Sequence, residues 1–160
     1  MRIAATIIAL CALVGCDDDP ADFEGNFTIA VTSRDNGCNF DNWMEGDTAS
    51  NIQMTITQEG AEVTATIEGL VGAYLNLVLG DNEFNGDADG NDVVLTLFGT
   101  NSATEGNCTY TVNGVVDGEL NGDVLEGQLR YEAATNGNPD CAALEGCASV
   151  QDFNGTRPPS

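Results

Sequence analysis

The side chains able to do chemistry in this 160-residue sequence are few in kind: six cysteines, 26 carboxylates and four basic residues, all arginine, with no histidine. Losing His and Lys removes the commonest general bases and the commonest metal-ligating nitrogen. Ser and Thr hydroxyls therefore lack the partners that would activate them as nucleophiles. Paired carboxylates can act as acid and base, as in glycoside hydrolysis, but no spacing singles out two among so many. The expectation is a protein without catalysis. A formal charge of −22 also repels phosphate backbones, which excludes nucleic acid as a partner. Asn85, Asp87, Asp89 and Gly90 match the first half of a calcium-binding loop, yet Thr96 stands where the bidentate Glu belongs. An Asp-Gly turn is the preferred reading, with weak Ca2+ binding by Asn85, Asp87 and Asp89 as the alternative, and no other cofactor is expected.

Met1-Arg2 precedes an apolar run from Ile3 to Val14 interrupted only by Thr6. Twelve residues are too few to span a hydrocarbon core as a helix, which takes about 20, but they suit the apolar region of a secretory signal. The run ends in Leu13-Val14-Gly15-Cys16 and switches abruptly to Asp17-Asp18-Asp19-Pro20. In this it resembles the lipobox of bacterial lipoproteins. The resemblance implies cleavage before Cys16, a diacylglyceryl thioether on Cys16 and an acylated new amino terminus. Several acyl chains make a stable membrane anchor where one is marginal. The implied organisation is a signal peptide over 1–15, an acidic tether over 16–21, one domain over 22–157 and a tail over 158–160. It implies an exported chain anchored in the bacterial cell envelope. Asp17 is read in enteric bacteria as an inner-membrane retention signal; inner and outer membrane both stay open.

Cys11 leaves with the signal and Cys16 takes lipid, so Cys38, Cys108, Cys141 and Cys147 remain. Four cysteines in an exported domain read as two disulfides, with three possible connectivities. Cys141 and Cys147 flank a short Ala-Ala-Leu-Glu-Gly loop that can close locally, leaving Cys38 with Cys108. Metal binding is the alternative, without C-x2-C spacing or His to support it.

The elements that would position these groups are strands. Ile52, Met54 and Ile56 alternate with polar residues, as do Val63, Ala65 and Ile67, which predicts a hairpin. With Glu59-Gly60 as its turn, Ile56 faces Val63 and Met54 faces Ala65. Asn121-Gly122 as a type I′ turn places Gly118 opposite Leu125, Val116 opposite Gly127 and Gly114 opposite Leu129, so that large meets small at each rung. Asp89-Gly90 as a third turn sets Phe84 against Leu95. A large residue followed two places later by Gly recurs, as in Phe23-Glu24-Gly25, Phe84-Asn85-Gly86 and Phe153-Asn154-Gly155. Inward glycines let strands bend, as closure of a small barrel demands.

Eight strands are expected, at about 22–33, 51–58, 61–69, 82–88, 91–99, 107–119, 123–133 and 149–157, the first pairing with the last. Leu70 to Leu79, with Leu75, Leu77 and Leu79 in alternation, reads as a ninth strand or an extension of the third. The fold class is all-β, an antiparallel up-and-down barrel, with a two-sheet sandwich as the alternative. Gly25-Asn26-Phe27 and Arg157 resemble the G-x-W and terminal Arg of the lipocalin or calycin barrels, with Phe in place of Trp. That resemblance implies a lumen for a small apolar ligand whose mouth Phe40, Trp43 and Met44 would line. The leading reading of function is an envelope lipoprotein with a structural or interaction role, and the apolar-ligand binder is the alternative.

Strand parity places Glu62, Glu68, Asp117, Glu119, Glu126 and Glu132 on the outer face. Self-repulsion among them weakens the compact state when salt is low. The melting temperature is expected to rise with millimolar Ca2+, and between about 10 mM and 500 mM NaCl, where the screening length shrinks below 10 Å; melts that do not move contradict this.

Overall fold

A computed structural model describes residues 19–159. The expected signal segment, Cys16 and the first part of the tether lie outside the described residues. Alternation of apolar and polar residues becomes nine strands: β1 Gly25–Asn36, β2 Thr48–Glu59, β3 Glu62–Ile67, β4 Glu83–Asp89, β5 Asp92–Leu97, β6 Ala103–Glu105, β7 Cys108–Asn121, β8 Val124–Thr135 and β9 Ala148–Thr156. Each pairs antiparallel with its neighbour in sequence, except that β5 passes over β6 to pair with β7, and β9 returns to β1. Eight strands thus form one closed barrel, and β6 adds a short flap to β7. A sandwich of two separate sheets is excluded.

The inward residues make a single core that includes Phe27, Ile29, Met54, Ile56, Val63, Phe84, Val93, Leu95 and Leu125. Its parity is the expected one, but the register of all three hairpins is displaced by two residues. Glu59 pairs with Glu62, Asp89 with Asp92 and Asn121 with Val124, so the turns are Gly60-Ala61, Gly90-Asn91 and Gly122-Asp123. Glycine occupies the first central position in each, with φ of +66°, +56° and +65°, as a type II′ turn requires. A displacement of two keeps every side chain on its face, where a displacement of one would have turned the core outward. Large and small residues consequently do not alternate along rungs: Gly118 pairs with Gly127 and Val116 with Leu129. They meet between strands instead. A Cβ on Gly114 would come within 2.8 Å of Phe84 Cε1, and one on Gly118 within 3.3 Å of Phe153 Cζ. Asn51, at φ +60°, sits at an irregularity where β2 has two residues against one of β1.

Leu70 to Leu79 is neither a ninth strand nor part of β3. It is a helix, α1, over Gly69–Val78. Val71, Leu75 and Leu79, four apart, face the barrel, while Leu70 and Leu77 are exposed. Apolar residues all round obscure the helical period. Gly80, at φ +94°, closes the helix by donating to the Leu75 and Asn76 carbonyls. A Cβ on Gly72 would overlap the Ile67 carbonyl oxygen, so glycine lets α1 lie directly on the end of β3.

The two ends of the barrel differ. At one, the three tight turns gather and the entering chain crosses beneath them: Ala21 N–H donates to the Gly90 carbonyl at 2.6 Å, and Gln58 holds the backbone of Ala21 and Phe23. Fully buried Phe23 plugs this floor. Arg157 closes it, its guanidinium 5.5 Å from the centroid of the Phe27 ring, with Nη1 donating to the Asp22 and Glu24 carbonyls and Nε to Asp123. At the other end lie α1 and the long connections after β1, β5 and β8.

The outer face near the floor carries directly opposed acids. Glu59 faces Glu62 and Glu62 faces Asp87; farther round, Asp89, Asp92, Glu119 and Glu126 face one another in turn across β4, β5, β7 and β8. Like charges directly opposed destabilise a sheet. Glu119 has such a neighbour on each side, so Glu119→Gln should raise the melting temperature by about 2–5 °C at low salt. That gain should shrink in 500 mM NaCl; an equal gain in both conditions would show that charge repulsion is not its source.

Candidate functional site

The interior of the barrel is largely filled. A void of about 80 Å³ remains, walled by apolar residues such as Met54, Phe84 and Leu129. Above it, between α1 and the connection from β1 to β2, a cleft of about 400 Å³ opens, and the two spaces share Leu75, Tyr131 and Gln151 as walls. Of the three mouth candidates, Phe40 and Trp43 line the cleft, and Met44, 65% exposed, lies outside its wall. Tyr74 and Val78 from α1, Leu79 just after it, Tyr131 from β8 and Asp41 also line the cleft.

The connection from β1 to β2 is short of strand partners and is held by side chains instead. Asn36 receives the Phe40 N–H and donates to the Phe40 carbonyl, both at 2.9 Å. Fully buried Ser149 accepts from Cys38 N–H and donates to Asn36. Asn39 takes φ +55°, a conformation Asn tolerates. Trp43 donates its indole N–H to the Arg34 carbonyl at 2.7 Å, which sets the plane of the ring. The Trp43 ring stands at 84° to that of Tyr131 with centroids 6.0 Å apart, and Phe40 lies 6.2 Å from Trp43 at 45°. Such edge-on and tilted packing suits aromatic quadrupoles.

The four cysteines form two disulfides, but not with the local closure. Cys38 joins Cys147 and Cys108 joins Cys141. The 3-10 turn Pro139–Cys141 and the turns after it carry Cys141 to the start of β7 and Cys147 to the end of β1. Both bridges therefore bind the connection from β8 to β9 to the open end of the barrel. Their sequence separations are 109 and 33 residues. Taken singly, each closure restricts the unfolded chain by about 4–5 kcal/mol in the loop-entropy account.

Asn85, Asp87 and Asp89 are not gathered round an ion. All three lie on the exposed face of β4, where extended backbone spaces them along the strand, and Asn85 accepts from the Thr64 hydroxyl at 2.8 Å. The turn that follows is Gly90-Asn91. Among the described residues, no group of three or more Asp, Glu or Cys side chains is arranged to hold a metal.

Each arginine among the described residues is paired: Arg34 with Asp152, Arg130 with Asp117 and Glu132, and Arg157 with Asp123. The hydrogen bond from Arg34 holds the Asp152 carboxyl below its usual range. Asp117 and Glu132 are half-buried on the outer face because they grip Arg130.

Sequence reasoning missed Tyr74, Asp41 and Gln151 as cleft residues. Tyr74 fell in the segment read as strand, where nothing placed it on the same cleft as Trp43. Asp41 was one carboxylate among 26, and Gln151 one polar residue in a strand. Comparison with known proteins assigns no family: no family model, no curated protein and no solved structure matches the chain.

Burial pushes the Tyr131 phenol up to about 12, with Tyr74 adding to the shift. A raised phenol favours its neutral form in the folded state, so its contribution is complete below pH 10 and is lost as pH rises towards 12. Tyr131→Phe should flatten the fall in stability between pH 10 and 12, measured by urea melts. An unchanged fall would place its origin elsewhere.

Proposed function

We propose that this chain is an envelope lipoprotein, anchored through Cys16, that acts without catalysis by binding a small partner molecule at the mouth of its barrel. The carrying observation is the aromatic cleft of about 400 Å³ at the end opposite the one where the chain enters. That volume lies within the few-hundred-Å³ range of small-molecule sites, and the site is concave, aromatic and held in shape by Asn36, Ser149 and a disulfide. The void inside the barrel is too small for such a ligand, which argues against a lumen filled in the manner of lipocalins. Arg157 over the Phe27 ring supports a lipocalin-like floor but says nothing about what the mouth holds.

The lipobox supports the anchor. With residues 19–24 crossing beneath the floor, an anchor at Cys16 tethers the closed end to the membrane and leaves the mouth facing solution. No helix among the described residues is long and apolar enough to cross a membrane. Without His or Lys, the commonest catalytic base is absent and Asp41 is the lone carboxylate in the cleft wall, which favours binding over turnover.

Two readouts on the full-length protein test this reading. In a bacterial host given radiolabelled palmitate, the wild type should incorporate label and fractionate with membranes, and Cys16→Ser should abolish incorporation. An unlabelled wild type overturns the anchor. Trp43 is the single tryptophan, so its emission reports on the cleft; a panel of small amphiphiles should include one that shifts it saturably, and a flat response across the panel overturns the mouth as a binding site.

A further inference from the structure

The chemistry of the cleft narrows what it can hold. Three aromatic rings packed on one another line it: Trp43 stands at 84° to Tyr131, and Phe40 is tilted 45° to Trp43. Tyr74 of α1, 55% exposed, supplies a fourth ring on the same cleft. Aromatic faces carry negative electrostatic potential, and several of them around one space favour a cation. Asp41 adds a carboxylate to the same wall, and among the described residues it has no cationic partner.

The surroundings have the same sign. This end of the barrel carries Asp35 at the end of β1, Asp41, Glu45 and Asp47 after it, Glu68 and Asp81 around α1, Glu105 on β6, and Asp140 and Glu145 before β9. Against these nine carboxylates stands one arginine, Arg34, already held by Asp152 at 2.7 Å. A ring of negative charge around a concave, partly apolar site concentrates cations and excludes anions. Fatty acids and phosphates are disfavoured for that reason, and an uncharged ligand would leave both the carboxylate and the aromatic faces unused.

We infer that the cleft between α1 and the Phe40–Trp43 segment binds a small organic cation of the quaternary-ammonium or amine class, seated against Trp43, Tyr131, Phe40 and Tyr74 with Asp41 as counter-ion. This rests on the mouth being the binding site and adds the charge of the ligand. Much of the box is set before the ligand arrives: the Trp43 ring by the Arg34 carbonyl, the Phe40 backbone by Asn36, and Tyr131 by its place in β8 and its hydroxyl's 3.4 Å contact with Gln151. A prearranged box loses little conformational freedom on binding.

The test is a matched pair of probes on the full-length protein in nanodiscs, followed by Trp43 emission: choline, and its uncharged isostere 3,3-dimethylbutan-1-ol. Choline should bind saturably and about tenfold more tightly than the alcohol, the range expected of cation–π attraction in a partly desolvated box, and its binding should weaken in 500 mM NaCl. Asp41→Asn and Tyr74→Leu, both at exposed positions, should each weaken choline binding several-fold with the melting temperature unchanged, and Asp41→Asn should narrow the preference for choline over the alcohol. Equal affinity for the two probes overturns the cation assignment and leaves the mouth as a binding site. If neither probe binds, the cation assignment falls, and the mouth reading falls with it if the wider panel is also silent. Choline binding unaffected by either substitution would place the cation elsewhere and overturn this box.

Discussion

Pairing of β1 with both β2 and β9 is the constraint on which the rest depends. It joins the first strand to the last and turns an eight-strand sheet into a ring with no free edge among those strands. Once the ring is closed, side chains of one parity must fill a fixed interior, and they do so down to a void of about 80 Å³. Gly155 allows the closing pair to meet, since a Cβ there would overlap Ile29 Cγ2 across the β1–β9 pairing. The interior is walled almost wholly by apolar side chains, so the strand carboxylates lie on the outer face, in opposed rows that the solvent must screen.

Closure also makes the two ends unequal. The floor uses three two-residue turns, a crossing segment with Phe23 at its centre, and Arg157 bridging backbone carbonyls, Asp123 and an aromatic face. Little chain is left there to form a cavity. The mouth has the longer connections, which lack strand partners and would be the least stable parts of the fold. Both disulfides lie there, as do the hydrogen bonds of Asn36 and Ser149. The rigidity of the aromatic cleft thus depends on crosslinks and side-chain hydrogen bonds, whereas that of the floor depends on tight turns and burial.

Much of the barrel was legible because alternation is a local signal. Ile52, Met54 and Ile56 point inward whatever they pair with, and the eight expected strands fall within a few residues of the observed ones. Register was less legible, because Glu59-Gly60 and Gly60-Ala61 both make plausible turns and preserve the same parity. The segment from Leu70 to Leu79 misled because leucines on every side satisfy two periods at once; Gly80, as the residue after a helix, was the one local hint of α1. Of the cleft, Phe40 and Trp43 were legible as aromatics in a long connection. Tyr74, Asp41 and Gln151 were not, since they come from other elements.

The sequence by itself determined the charge, the absence of His and Lys, the even number of cysteines left to the domain, and the inward and outward faces of the strands. Each of these follows from composition or from spacing within a few residues. Only the tertiary structure decided the pairing of Cys38 with Cys147 and Cys108 with Cys141, the displaced register, the helix over the mouth and the box of rings around Trp43. These depend on contacts between residues as far apart as 109 positions, and such contacts are chosen by closure of the barrel rather than by any local preference of the chain.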